Sequence, residues 1–311
     1  MTEQDRIESA LLSRLAALYG EHEEILKKKL RRLLEALQRL ESEPQGSRTD
    51  EEQVEWAQKR FSVLLRQHNA EKVVSEEMSL AGEAATALIS AAVLEIFAVS
   101  YKENGERIIK EAVSLRNRPA FPTQTERMIR NILDDTRDYF TEQSFTNLRK
   151  NKVAVQRYRK ALAKATRKGE THQELVQRFM DIIGDTSRQA HVHASLLAQT
   201  ERTRAQSEAN EEIANQAAAQ GLRLYDEWLC AMIPPHKTPS GWSSGSRESH
   251  KELHHKKQMH GQPFHTVWGN DLRFPGDPEA PARERCNCHC VKTSHVLLDG
   301  YELIDGEIVK V

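Results

Sequence analysis

The chain has 311 residues, a formal net charge of −1, 29% charged and 6% aromatic residues, and four cysteines. That length allows two domains and a sizeable core. The near-neutral charge gives no overall pull toward nucleic acid or anionic membrane, and four cysteines are too few for a disulfide scaffold. High charge with few aromatics favours long helices with solvated faces over an aromatic-cored enzyme.

The opening residues MTEQDRIESALLSRL carry neither a basic n-region nor an apolar core, so no secretory signal is expected there and synthesis in a reducing cytosol is. Leu26, Leu30, Leu33, Leu37 and Leu40 step by four, three, four and three, a heptad seam that Leu11, Leu15 and Leu18 continue upstream. The segment 43-EPQGSRTD-50 breaks it. The seam fits a helical hairpin packed on itself, or a face for a partner or a second copy. Residues 50–115 read as two or three further helices, with ends near Lys102–Gly105 and at Ser114. The apolar window over residues 84–101 has Glu83 at its edge and Glu95 inside it. Its charge-free core, Ala84 to Leu94, is far short of the roughly 20 residues a spanning helix needs, which predicts a buried helix and no membrane partner.

Residues 116–127 form a Pro-containing connection. From Arg149 to Lys168 there are nine Lys or Arg residues and no acid. Lys150, Lys152, Arg157 and Arg159 are candidates for docking on an acidic surface or near DNA phosphate, against the plainer reading of a solvated face. A capping box, 171-THQE-174, starts the next helix, with Leu175, Phe179 and Ile182 or Ile183 as its stripe and Gly184 as its end. Another helix is predicted from Thr186 to Gln220, with Gly221 at the C′ position. Its middle, 198-AQTERTRAQSEAN-210, is alanine-rich and polar with little apolar stripe.

After Tyr225 the chain changes character. Seven of ten prolines, eight of thirteen histidines, three of four tryptophans and all four cysteines lie there. LRLYDEWL (222–229) alternates like a half-buried strand, and Asp299-Gly300 and Asp305-Gly306 signal tight turns. The fold class is therefore α+β. A long, mostly helical part over 1–168 precedes a small loop-rich α+β domain over 169–311, with helices over 171–220 and a short antiparallel sheet within 222–311.

The segment 285-RCNCHCVKTSH-295 concentrates Cys286, Cys288 and Cys290. On a strand the three would share one face. Zinc takes four N or S ligands. Candidate ligands are His250, Cys288 and Cys290, with Cys286, His260 or His255 as the fourth. Reduced cysteines packed in a core, or a disulfide formed after release from the cell, are the alternatives. His254-His255, Asn270 and His289 loosely resemble a ββα-metal (HNH-like) nuclease site, though the segment around His289 reads as strand. No H-E-x-x-H or Gly-rich phosphate loop is present, and Gly241-Trp242-Ser243-Ser244-Gly245, which has the G-x-S-x-G spacing, reads as loop and not as a strand-to-helix turn. A coiled-coil DNA-binding adaptor is the third class the pattern allows.

Motif order narrows these classes. Thr200-Glu201 and Asn210 lie on one predicted helix, followed by Gly221, Trp228 on a strand, and Arg247-x-x-His250. Then come Gly261 before Phe264, the Pro275-Gly276-Asp277-Pro278 loop and Asn287-Cys288-His289-Cys290. In this order they resemble the Mu F-like minor head proteins of tailed bacteriophages, over about residues 169–296. The spacings from Trp228 to Arg247 and from His250 to Gly261 are longer than that family's. The resemblance implies a non-enzymatic minor head protein that associates with the portal and acts in head morphogenesis, DNA packaging and ejection. It would reside in the host cytoplasm during assembly and in the virion afterwards. The portal protein is the implied partner, with scaffold or major capsid protein beside it and weak DNA contact through the basic helix. The R-x-x-H spacing favours His250 as the family's histidine. Glu201 is expected to pair with Arg247, and Asn287 to bond neighbouring backbone in a buried turn.

Overall fold

Helices α1 (Glu3–Lys29) and α2 (Arg31–Arg39) take up the leucine seam. The computed structural model describes residues 2–39, 49–114, 119–121, 146–165, 172–234, 236–238, 241–243, 246–286 and 288–311. Leu26, Leu30, Leu33 and Leu37 are 0–1% exposed. Hydrogen bonds from Leu30 N to Leu26 O (2.9 Å) and from Leu34 N to Leu30 O (3.0 Å) run through the α1–α2 junction. α2 packs on α3 (Asp50–Gln67), which starts from a capping box of Thr49 and Glu52. The seam is consumed inside the chain, so these four leucines are not a face open to a partner. Leu40 lies outside the described residues.

α4 (Ala70–Glu111) is one helix of 42 residues, closed by a 3₁₀ turn at Ala112–Ser114. The end expected near Lys102–Gly105 is absent. A helical glycine costs only about 1 kcal/mol, and Gly105 is packed: a Cβ there would stand 3.2 Å from side-chain atoms of Ile213 and Phe121. By length and composition α4 could cross a membrane. Within its apolar stretch over 83–97 the exposed positions, Glu83, Ala87, Ala91 and Glu95, recur every four residues. The bulky Ile89, Val93, Ile96 and Phe97 are buried. A small and acidic outer stripe with a bulky inner one is the arrangement of a core helix.

α5 (Lys152–Ala165) turns Ala154, Val155 and Tyr158 inward and Arg157 and Arg159 outward. α6 (His172–Ala219) is a single helix of 48 residues. The stop expected at Gly184 does not occur, because buried neighbours Ile182, Ile183, Thr186 and Ser187 hold the helix through the glycine. Thr171, the expected cap, lies outside the described residues. The C-terminal end is as expected. Gly221 has φ +88°, and bonds from Gly221 N to Ala218 O (2.9 Å) and from Leu222 N to Ala217 O (3.2 Å) make a Schellman motif.

Beyond it, β1 (Leu224–Leu229) is central in an antiparallel sheet ordered β4 (Lys257–Met259), β1, β7 (Val291–Val296). Three two-stranded hairpins complete the described strands: β2–β3 (His236–Thr238, Gly241–Ser243), β5–β6 (Phe264–His265, Asp271–Leu272) and β8–β9 (Tyr301–Ile304, Glu307–Lys310). The last turns on Asp305 and Gly306, at φ +48° and +83°, the type I′ geometry that Asp-Gly supports. Short helices α7 (Glu248–Lys251) and α8 (Ala282–Arg285) lie in the loops.

The chain forms two compact units that cut across the division expected at residue 168. One draws on Met1–Leu12, Ile89–Glu142 and Leu196–Val311, the other on Ser13–Leu88 and Gln143–Ser195. The long helices α1, α4 and α6 each contribute residues to both. Within the second unit, the chain around 148–151 lies against α4. Asn151 Nδ2 donates to Met78 O, and Ser79 Oγ donates to Arg149 O at 3.2 Å. A Cβ on Gly82 would collide with the Leu148 carbonyl oxygen and stand 2.7 Å from that of Arg149. Gly82→Ala should therefore lose about 1–3 kcal/mol of stability. Gly20→Ala, at an open helical position, should gain up to about 1 kcal/mol. Denaturant midpoints of the two variants check the contrast.

Candidate metal centre

Three side chains predicted as ligands meet. His250 sits on α7, whose N-cap residue is Arg247. Cys288 and Cys290 lie just before β7. The His250 Nδ1 is 3.4 Å from Cys288 Sγ and 3.5 Å from Cys290 Sγ, and the three donor atoms lie within 4.8 Å of one another. All three residues are buried. This His/Cys/Cys group is compatible with a metal ion. The other ring nitrogen, Nε2, lies 3.1 Å from Glu284 Oε2, close but outside hydrogen-bond geometry. Glu284 in turn accepts from Ser249 Oγ (3.0 Å), Asn270 Nδ2 (2.8 Å) and Thr266 Oγ1 (3.4 Å).

The thiols are not equivalent. A hydrogen bond from Cys290, helped by His250, holds the Cys288 thiol well below its ordinary range despite burial. That same bond, with burial, pushes Cys290 up. The pair thus favours one thiolate between two sulfurs. A third sulfur, Cys230, was missed by the sequence reading. It follows β1 directly and shares a buried cluster with Trp228, Phe264, Cys288 and Cys290. β1 and β7 pair Leu229 with Val291, so one further step along the register sets Cys230 opposite Cys290. The neighbouring Cys230 adds to the upward push on the Cys290 thiol.

None of the residues expected as fourth ligand joins this group. Cys286 lies at the end of α8, where its carbonyl accepts from Arg247. His255 lies 2.7 Å from Glu227 on the exposed side of the sheet. His260 is held by Asp226 at 2.9 Å and Asn215 at 3.1 Å. A second set of donors, Glu211, Asp226 and His260, also converges. Its cation position is filled by Lys292, whose ammonium is 2.8 Å from Asp226 and paired with Glu211.

The other motif residues brace the same region. Trp228 is fully buried, edge-on to His250 (5.4 Å) and Phe264 (5.3 Å). On α6, Thr203 donates to Cys288 O (2.6 Å) and Asn210 to Lys292 O (2.8 Å). Thr200 bonds back to Leu196 O at 2.9 Å. Glu201 pairs with Arg204 (3.0 Å), not with Arg247 as expected, because both lie on the same helix face three residues apart. Arg204 also holds Glu208, so its charge is matched although buried. Gly276, at φ +80°, brings Pro275 and Asp277 against α6: a Cβ there would stand 3.3 Å from Arg204 N. Asp277 accepts from Arg273 (2.8 Å). Gly261, at φ +87°, makes the turn that returns β4 toward Phe264. Asn287 lies outside the described residues. On α5, Arg159 pairs with Glu71 (2.7 Å) and Arg157 bonds Gln189. Lys150 is exposed, and the Lys152 side chain is outside the described set.

No protein-family model, no curated protein and no solved structure matches this chain.

Burial raises the Asp226 carboxyl, but His260 and Lys292 outweigh it and hold it at about 2. A carboxyl depressed in the folded state stabilises fully above its unfolded value and loses that contribution as pH falls through the folded one. Asp226 should therefore contribute about 2 kcal/mol above roughly pH 4, fading toward pH 2. Asp226→Asn should lose about 3 kcal/mol at pH 7, since it leaves buried Lys292 short of a partner. Urea unfolding from pH 7 to pH 2 checks both, with the gap to wild type narrowing below pH 4.

Proposed function

We propose that this chain is a structural, non-enzymatic head protein of a tailed bacteriophage, a Mu F-like minor head protein. It would associate with the portal and serve head morphogenesis, with DNA packaging and ejection as the steps it attends. The observation that carries the reading is the convergence of the motif residues. Glu201, Asn210, Trp228, His250, Gly276, Asp277, Cys288 and Cys290 are scattered in sequence, and all are buried in one module. Apart from Trp228 Nε1 and His250 Nε2, which have no hydrogen-bond partner, their polar atoms are spent on holding backbone and neighbouring side chains, which suits a braced assembly module.

Zinc is the cofactor this reading assigns, because two thiolates and an imidazole select it over harder divalent ions. The partner face is the outer side of α5. With the leucine seam buried, exposed Lys150, Arg157, Arg159 and Lys160 are the basic groups suited to an acidic surface of the portal, scaffold or major capsid protein, with weak contact to DNA as a secondary use. A nuclease would need His254, His255, Asn270 and His289 around one ion. Their partners here are separate: the Cys230 amide, Glu227, Glu284 and Gln199.

The test is retention of the purified chain on purified portal rings. Binding should weaken with added salt and weaken further when Lys150, Arg157, Arg159 and Lys160 are all changed to Gln. Incubation with duplex DNA and Mg²⁺ or Mn²⁺ should leave the DNA intact. Divalent-dependent cleavage that disappears in His254→Ala would overturn the reading.

A further inference from the structure

We propose that Cys230 is the fourth ligand of a closed Cys₃His zinc site, completed by His250, Cys288 and Cys290. The inference rests on the zinc reading above and adds the ligand that makes the site four-coordinate.

Separations support it first. On a tetrahedral zinc, a sulfur at about 2.3 Å and a nitrogen at about 2.0–2.1 Å stand about 3.5–3.6 Å apart. The His250 Nδ1 is 3.4 and 3.5 Å from the two sulfurs, the spacing of ligands around a common ion. The sheet supplies the next constraint. Residues directly opposite on antiparallel strands point to the same face with Cβ atoms about 4.5–5.5 Å apart. The β1–β7 register, continued one step past Leu229–Val291, puts the Cys230 and Cys290 side chains in that relation. Two zinc-bound sulfurs lie about 3.8 Å apart; the Cys230 thiol stands outside the 4.8 Å group that the other three donors form, so a rotation of its side chain toward Cys290 would close the site.

The neighbouring histidine does not compete. His254 Nδ1 accepts the Cys230 amide proton at 3.1 Å, which anchors the backbone beside the sulfur. Cys230, His250, Cys288 and Cys290 are 6, 1, 1 and 5% exposed, so no coordination position faces solvent, as in structural zinc sites. With Nδ1 on the metal, His250 Nε2 lies 3.1 Å from Glu284, which Ser249 and Asn270 hold in place. A carboxylate behind a ligating histidine is the usual outer support of such a site. Binding Zn²⁺ releases the thiol protons to solvent and leaves three zinc–thiolate bonds and one zinc–imidazole bond.

The experiment uses the full chain, reduced, loaded with ZnCl₂ and freed of excess. Metal analysis should give one zinc per chain. X-ray absorption should give three sulfurs at about 2.3 Å and one nitrogen at about 2.0–2.1 Å. In competition with a chromophoric chelator, Cys286→Ser should hold zinc as wild type does. Glu284→Gln should bind about 10–100-fold more weakly, and Cys230→Ser more weakly still. One zinc with only two sulfurs in wild type, or Cys230→Ser equal to wild type, overturns the assignment of Cys230 and leaves the zinc reading standing. A wild-type chain that takes up no zinc overturns both. The absorption measurement needs no variant, so a misfolded mutant does not decide the outcome.

Discussion

The C-terminal module depends on the pairing of β1 with β7. That ladder sets Asp226 opposite Ser294 and Trp228 opposite Lys292. Its buried face therefore carries, in order, an apolar pair, a carboxylate with its hydroxyl and ammonium partners, an indole, and the thiols. Ser294 donates to Asp226 at 2.5 Å and Lys292 at 2.8 Å. Because strand side chains alternate, a slip of one residue would turn all of these to the other face. Tyr225 and His295, stacked at 5.2 Å, would be turned inward in their place. Many polar groups must be satisfied together, so only one register serves.

Helix α6 meets that strand with polar and small side chains. This explains why its middle has no apolar stripe. Alanines 205, 209, 214 and 217 are buried and let backbones approach. Thr203 and Asn210 supply donors to carbonyls at Cys288 and Lys292. Between them, Arg204 is enclosed by Glu201 and Glu208. A buried ion triad adds little net stability, but removing one member strands the others, so it favours a single arrangement. Specificity of docking suits an assembly module, the role proposed above. The buried group of His250, Cys288 and Cys290 adds a local tie between α7 and the start of β7.

Much of this was legible in residue patterns where the cause is local. The leucine seam, the Gly221 C-cap, the LYDEWL strand and the Asp305-Gly306 turn each depend on residues a few places apart. His250, Cys288 and Cys290 were legible as candidates for one group because their chemistry is distinctive, and the structure brings them together. What local pattern misled was the role of Gly105 and Gly184, where packing partners remote in sequence outweigh a modest helical penalty. Glu201 was assigned to Arg247 by motif order, when Arg204 on the same helix face was nearer. Cys230 carried no signal, since its relation to Cys290 exists only through the sheet register. The alternating burial of β1 marked its inner face, but nothing in the chain names β7 as the strand it meets.

The central claim is that this chain is built into a phage head. The most direct measurement is quantitative mass spectrometry of purified, DNA-filled heads from the phage or induced prophage that encodes it. The account predicts its peptides at a low, fixed ratio to portal protein. Heads free of the chain, while it is abundant in the infected cell, would contradict the account.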